Sequence, residues 1–360
     1  MAYTTIDDPS AYFQTALYSS TGGGGSITVT NDGNSDLQPD WIWIKVRNGA
    51  NDHNMFDSSR SNFAERQWSN LSSASDSTVS VSANSDGFAT GTGYGDINNT
   101  SGANNYVAWQ WKANGGTTTT NDASSTGVGS VDSVYQVNST SKFGIMTYTA
   151  TNDGNITVAH GLGSAPKLVM TKTRNQAWGW FVWSHALANT HGLQLHHANG
   201  SGDSSDALGD TDPSSTIFTM GNTGNANNNY QAGDTVVAYY WDEVQGYSKF
   251  GSYTGNGDAD GTFVYTGFKP AFLIQKQTNA NGEYWMMKDN AREPFNPVDA
   301  NIYPNAANAE GDTNGVDFLS NGFKCRTNGA GSNGSGNTYF YIAFAESPFV
   351  SSEGVPATAR

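Results

Sequence analysis

Gln38-Pro39-Asp40-Trp41-Ile42-Trp43-Ile44-Lys45-Val46-Arg47-Asn48 returns as Ala165-Pro166-Lys167-Leu168-Val169-Met170-Thr171-Lys172-Thr173-Arg174-Asn175. It returns again as Lys269-Pro270-Ala271-Phe272-Leu273-Ile274-Gln275-Lys276-Gln277-Thr278-Asn279. In each copy Pro precedes Lys by six residues and Asn by nine. A second signature lies downstream: Tyr106-Val107-Ala108-Trp109, Val236-Val237-Ala238-Tyr239 and Tyr341-Ile342-Ala343-Phe344. Each of its alanines follows a Phe (Phe88, Phe218, Phe323) by twenty residues, and lies 69, 72 or 73 residues beyond the Pro. A register held over that length makes the chain three versions of one unit, each near the usual size of a domain and large enough to bury a core of its own.

Within the units the apolar period is two. Ser26-Ile27-Thr28-Val29, Asn155-Ile156-Thr157-Val158 and Thr262-Phe263-Val264-Tyr265 alternate as half-buried strands do, while Trp41 to Ile44 is apolar at consecutive positions and predicts a strand covered on both faces. Tyr18, Tyr148 and Tyr253 are expected to open strands, each followed by a glycine-rich hairpin, with the Pro as first residue of the next strand because it lacks a ladder donor. The 42 glycines and abundant Asn, Ser, Thr and Asp supply the turns. The fold expected is all-β: three tandem antiparallel β-sandwich or jelly-roll, lectin-like domains of about 100 residues each. They are placed at 1–112 (with an N-terminal arm), 141–245 and 246–350, joined by an extended linker at 113–140 and followed by a C-terminal tail at 351–360.

Composition limits the partners. The net charge of −15 opposes binding to nucleic acid or an anionic membrane surface. No window reaches the apolar length of a membrane span, and Met1-Ala2-Tyr3-Thr4 opens without the features of a secretory signal. One cysteine, Cys325, excludes an intrachain disulfide framework and fits synthesis in a reducing cytoplasm. The 17 Phe, 17 Tyr and 10 Trp provide small aromatic cores.

Several stretches resemble virion proteins of marine tailed bacteriophages: Ala2-Tyr3-Thr4-Thr5-Ile6-Asp7, Phe56-Asp57-Ser58-Ser59-Arg60, Val158-Ala159-His160-Gly161-Leu162-Gly163-Ser164-Ala165-Pro166, Val316-Asp317-Phe318-Leu319-Ser320-Asn321-Gly322-Phe323-Lys324 and Ala343-Phe344-Ala345-Glu346-Ser347-Pro348-Phe349-Val350. The resemblance covers the whole chain and implies a tail-fibre-like structural protein of tandem lectin-like β domains, with no catalytic residues to carry over.

Candidate chemistry is sparse. Asp57-Ser58-Ser59-Arg60 and Asp289-Asn290-Ala291-Arg292 share Asp-x-x-Arg, replaced in the second unit by Ser184-His185-Ala186-Leu187, and predict a loop-anchoring ion pair. His185, His191, His196 and His197 lie near Asp203, Asp206, Asp210 and Asp212, but on a strand the adjacent His196 and His197 would face opposite ways, which argues against a metal. Asn256-Gly257-Asp258-Ala259-Asp260-Gly261 is half a calcium loop whose closing position, 267, holds Gly; a hairpin turn is the better reading. His160 reads as a turn residue and Cys325 as core. The exposed aromatics are the sharper clue: Trp178 and Tyr284 are the candidate glycan contacts, where rings could stack on a sugar's apolar face. No cofactor, metal or catalytic residue is expected. The function expected is a non-enzymatic virion structural protein, made in the host cytoplasm, that serves as a tail fibre or receptor-binding protein. Its expected partners are a homo-oligomer (a trimer), other tail or capsid proteins and host surface carbohydrate. The alternatives are a capsid decoration protein and, third, a polysaccharide depolymerase.

Overall fold

The computed structural model describes residues 2–20, 22–99, 101–203, 208–222 and 229–358. It is 40% strand and 3% helix, in several antiparallel sheets. Each repeat contributes one sheet with the same strand order. In the first, Phe13–Ser19, Asn105–Trp111, Trp41–Val46 and Asn54–Asp57 lie side by side. Their counterparts in the second are Phe143–Thr149, Thr235–Trp241, Leu168–Thr173 and Trp180–Ser184, and in the third Ser248–Thr254, Thr338–Pro348, Phe268–Gln277 and Met286–Asp289. In chain order these are the entry, Pro, return and closing strands; the closing strand sits between entry and Pro strands in all three.

A smaller sheet covers one face of each main sheet. Thr28–Val29 pairs with Phe88–Thr90, Ile156–Ala159 with Ile217–Met220, and Phe263–Tyr265 with Gly322–Cys325. The Phe of the repeat stands opposite a valine each time: Phe88 with Val29, Phe218 with Val158, Phe323 with Val264. Glycine precedes two of these phenylalanines because the strands approach closely there. A Cβ on Gly87 or Gly322 would lie 2.1 Å from the carbonyl oxygen of Val29 or Val264.

Side-chain alternation then divides each main sheet between two cores. Ile42, Ile44, Tyr106 and Ala108 pack under the first repeat's small sheet with Val29 and Phe88. Val169, Val236, Ala238 and Tyr240 do the same in the second, and Leu273, Tyr339, Tyr341 and Ala343 in the third. The opposite faces of all three sheets meet in one shared cluster: Trp41, Trp43, Trp109 and Trp111 with Trp180, Tyr239 and Trp241, and with Phe272, Trp285, Phe340 and Phe344. Ring contacts cross the repeats, as in Trp41 on Tyr239 with centroids 4.5 Å apart and Phe13 on Phe344 at 5.4 Å. The apolar run Trp41 to Ile44, within the strand Trp41–Val46, is thus buried on both faces, as its pattern predicts. Its second face, however, packs on the neighbouring repeats, so the repeats lean on one another.

Three local readings are corrected. Tyr18, Tyr148 and Tyr253 each occupy the sixth of seven strand positions, near the end of the entry strand, and the glycine-rich segment after each crosses to the other sheet instead of forming a hairpin. Pro39 and Pro166 precede their strands by two residues, whereas Pro270 lies inside Phe268–Gln277 at a bulge, where its missing donor disturbs no regular pairing. Residues 113–140 are no open linker. Ser133–Asn138 pairs along Phe143–Thr149 and carries Thr119–Asn121 on its far side, extending the second sheet to six strands. The segment is also tied to the first repeat, because the Asp40 carboxylate accepts from the amides of Ala113, Gly115 and Gly116.

Candidate functional site

The polar groups around the shared core form three equivalent junctions. At the position just before the return strand, or opening it, stand His53, Trp180 and Trp285. Each ring nitrogen reaches a backbone carbonyl of a neighbouring repeat. Trp180 Nε1 donates to Trp68 O at 2.7 Å, Trp285 Nε1 to Gln194 O at 3.1 Å, and His53 Nε2 lies 2.9 Å from Tyr303 O. Seven residues beyond each acceptor a backbone amide returns the bond to the end of the neighbour's Pro strand. Ser75 N donates to Arg174 O at 2.6 Å, Ser201 N to Thr278 O at 2.7 Å and Glu310 N to Arg47 O at 2.7 Å. The junctions run first to second, second to third and third to first, which closes a ring within one chain.

The Asp-x-x-Arg pairs belong to this ring. Asp57 and Arg60 are fully buried and paired, and Tyr239 Oη of the second repeat donates to Asp57 Oδ2 at 2.6 Å. Asp289 pairs with Arg292 at 2.6 Å, and Trp109 Nε1 of the first repeat donates to Asp289 Oδ2 at 3.0 Å. Each arginine also donates to the carbonyl two residues before its Asp, Met55 O or Met287 O. At the remaining junction both halves are missing together: Ser184 replaces the acid, and Phe344, which has no donor, stands where Trp109 and Tyr239 do. There His185 Nε2 lies 2.9 Å from Phe250 O and 3.5 Å from Glu243. Glu243 also accepts from Lys167 and from the Phe250 amide; these partners outweigh its burial and hold its carboxyl down at about 2.

The lysine of each repeat, Lys45, Lys172 and Lys276, is buried and held by carbonyl oxygens. Lys172 Nζ donates to Thr173 O and Ser72 O, each at 3.0 Å, and to Trp178 O. Lys276 Nζ donates to Gln277 O, Ala198 O and Glu283 O, and Lys45 Nζ to Val46 O and Gly49 O. Burial pushes the three ammonium groups down, to about 8 for Lys45, about 7 for Lys172 and about 8 for Lys276. Arg174–Glu65 and Arg47–Glu310 add half-buried ion pairs at two junctions.

Trp178 lies beside this carbonyl cage. It is half-buried, edge-on to the exposed Tyr230 with centroids 5.0 Å apart, and lines a cleft of about 450 Å³ between the first and second repeats. Asn70, Leu71 and Ser72 form one wall, and Trp178, Gly179, His196 and His197 the other. Tyr284 is exposed and sits 5.2 Å from Tyr303, next to Glu283, whose carbonyl Lys276 holds. The two candidate glycan contacts therefore occupy neighbouring positions at different junctions and do not converge. A larger cleft of about 550 Å³ lies across the strand ends of the second repeat's sheet, lined mostly by Ser and Thr with Tyr148 and Arg174.

The histidine cluster is rearranged. His196 and His197 sit in a turn with ring centroids 4.1 Å apart, so they share a side instead of facing apart. His196 Nδ1 accepts from Trp180 N, and burial, with His197 and Lys172 nearby, pushes it down to about 4. His185 is engaged at the junction with the third repeat. Asp206 lies outside the described residues. Asp260 of the half calcium loop pairs with Lys324 at 2.5 Å and Arg326 at 3.4 Å. Among the described residues, the group whose ligand atoms lie close enough to share an ion is Glu293, Asp299 and Asp312; Glu293 Oε2 already accepts from the amides of Asp299 and Ala300. His160 stacks on Phe218 and braces its turn through Ser214 O and Leu162 N. Cys325 is core, its thiol pushed up by burial to about 11.

The chain belongs to a family described as a domain of unknown function, DUF7483, matched over residues 8–348, a span that takes in all three repeats. No similar curated protein and no similar solved structure was found.

Proposed function

We propose that the chain is a non-enzymatic structural protein of a tailed-bacteriophage virion, built from three lectin-like β-sandwich units and used to hold position and touch a surface. The observation that carries this reading is the closed intrachain ring. Its buried polar groups are committed to joining the repeats, and rigid junctions leave loops free to make contacts. In the receptor-binding form of the proposal, a host-surface glycan enters the cleft beside Trp178, where a ring edge, amides and imidazoles lie together, and Tyr284 offers a second contact. Repeated weak sites on one body would add through avidity. Other virion proteins and a homotrimer complete the set of partners. The homotrimer's contact surface would draw on exposed Phe263, Tyr265 and Phe295, since the shared core already covers the inner aromatic faces of the main sheets.

The ring also favours a second reading. Modules in a row give a fibre its length; modules closed on themselves give a compact block, which suits a capsid decoration protein. Gold-labelled antibodies on intact particles separate the two: tail labelling in few copies supports the receptor-binding reading, and dense head labelling supports decoration. A glycan array with wild-type and Trp178→Ala protein tests the contact itself. Binding that is lost in the variant, without release of product, is expected. Release of oligosaccharide would move the protein to the depolymerases.

A further inference from the structure

Lys288 stands where the other repeats place aromatic core residues. Met287 forms a reciprocal backbone pair with Ile302, as Met55 does with Gln67 and Val182 with Leu193. The adjacent cross-strand pair is Phe56 with Arg66 in the first repeat, Trp183 with Gly192 in the second, and Lys288 with Asn301 in the third. That pair is of the non-hydrogen-bonded kind, in which facing side chains come closest. Lys288 and Asn301 are both fully buried. Lys288 Nζ contacts Asn301 Oδ1 and reaches Thr313 O at 3.3 Å, while Asn301 Nδ2 donates to Thr313 O and, at 2.8 Å, to Thr313 Oγ1. Lys45, Lys172 and Lys276 are held by backbone carbonyls; Lys288 is pressed against a carboxamide. A buried ammonium facing neutral acceptors is costly, and the sibling repeats show that the fold does not require one there.

We propose that Lys288 and Asn301 form an intramolecular isopeptide bond that fastens the third repeat's return strand to its smaller sheet. The neutral amine attacks Asn301 Cγ, forming the Nζ–Cγ bond. The Cγ–Nδ2 bond breaks, and a proton from the amine passes to Nδ2, which leaves as ammonia; no oxidant or reductant is needed. Burial and Arg292 push the Lys288 ammonium down to about 7, so free amine is available at neutral pH. Asp299 and Glu293 are carboxylates whose charge reaches it.

The test is mass spectrometry of the purified full chain followed by tryptic mapping. The expected result is an intact mass one ammonia below the sequence, no cleavage after Lys288, and a branched peptide joining it to the Asn301 segment. The branch distinguishes the bond from a backbone succinimide, which loses the same mass but leaves linear peptides. Asn301→Ala and Lys288→Arg should each restore the full mass, and the wild-type map decides the matter even if neither folds. A wild-type chain of full sequence mass, cleaved normally after Lys288, overturns the proposal.

Discussion

Asp57 carries three duties at once: it pairs with Arg60, caps the amides of Ser59 and Arg60, and accepts the Tyr239 hydroxyl from the next repeat. Asp57→Ala strands a buried guanidinium and should cost about 3–5 kcal/mol. Tyr239→Phe leaves the ion pair intact and should cost less, about 1.5–3 kcal/mol for a hydrogen bond to a charged group. Urea unfolding at constant slope measures both, and equal losses would contradict these roles. The buried lysines give a pH dependence of definite sign. An amine whose pKa is lower folded than unfolded binds fewer protons in the native state, so stability rises with pH between the two values. That window opens at about 7 to 8 and closes near the ordinary lysine value of about 10.4. Burial raises Tyr18, Tyr148, Tyr239 and Tyr240 well above their usual value, and their contribution is lost once unfolded tyrosines ionise above about pH 10. Thermal midpoints should therefore climb from pH 7 to about 10 and then fall; a decline between 7 and 9 would refute the lysine assignment. The sequence shows that Asp-x-x-Arg is absent from the second repeat. It does not show that Phe344 lacks the matching donor, because the partner lies more than 150 residues away in the chain and no spacing links the two.

At the scale of elements, the loops at 68–75, 194–201 and 303–310 join the ring. Each offers a carbonyl at its start and an amide at its end to the neighbouring repeat. Ser75→Pro or Ser201→Pro deletes that amide and should cost about 1–3 kcal/mol by leaving the Arg174 or Thr278 carbonyl unmet. Hydrogen exchange should speed locally at the Pro-strand end across the junction; exchange changes confined to the mutated repeat would count against the contact. The strands themselves were legible, since period-two runs and the Pro–Lys–Asn and Phe–Ala spacings mark the Pro, closing and small-sheet strands. Ser133–Asn138 was hidden by the Gly- and Thr-rich run before it, although Val134, Tyr135 and Val137 carried a usable apolar signal. Trp178, read from the sequence as an exposed ring, is half-buried, and its cleft needed the first repeat's Asn70–Ser72 wall, which sequence alone could not bring to it.

For the whole molecule, the aromatic cluster shared by the three main sheets turns repeats that look separable into one body. A fragment of residues 113–245 would expose Trp180, Tyr239 and Trp241 on an uncovered sheet face. It should bind hydrophobic dyes and aggregate, whereas a well-dispersed, folded fragment would argue for self-sufficient units. The repeat count was readable from sequence because each core pattern recurs in register. The closure was not, because the same alternation serves a strand covered by its own small sheet and one covered by a neighbour. Scanning calorimetry of the full chain tests the ring most directly. One transition, with calorimetric and van't Hoff enthalpies equal, is the expected result; three separable transitions, each reproduced by an isolated repeat, would contradict it.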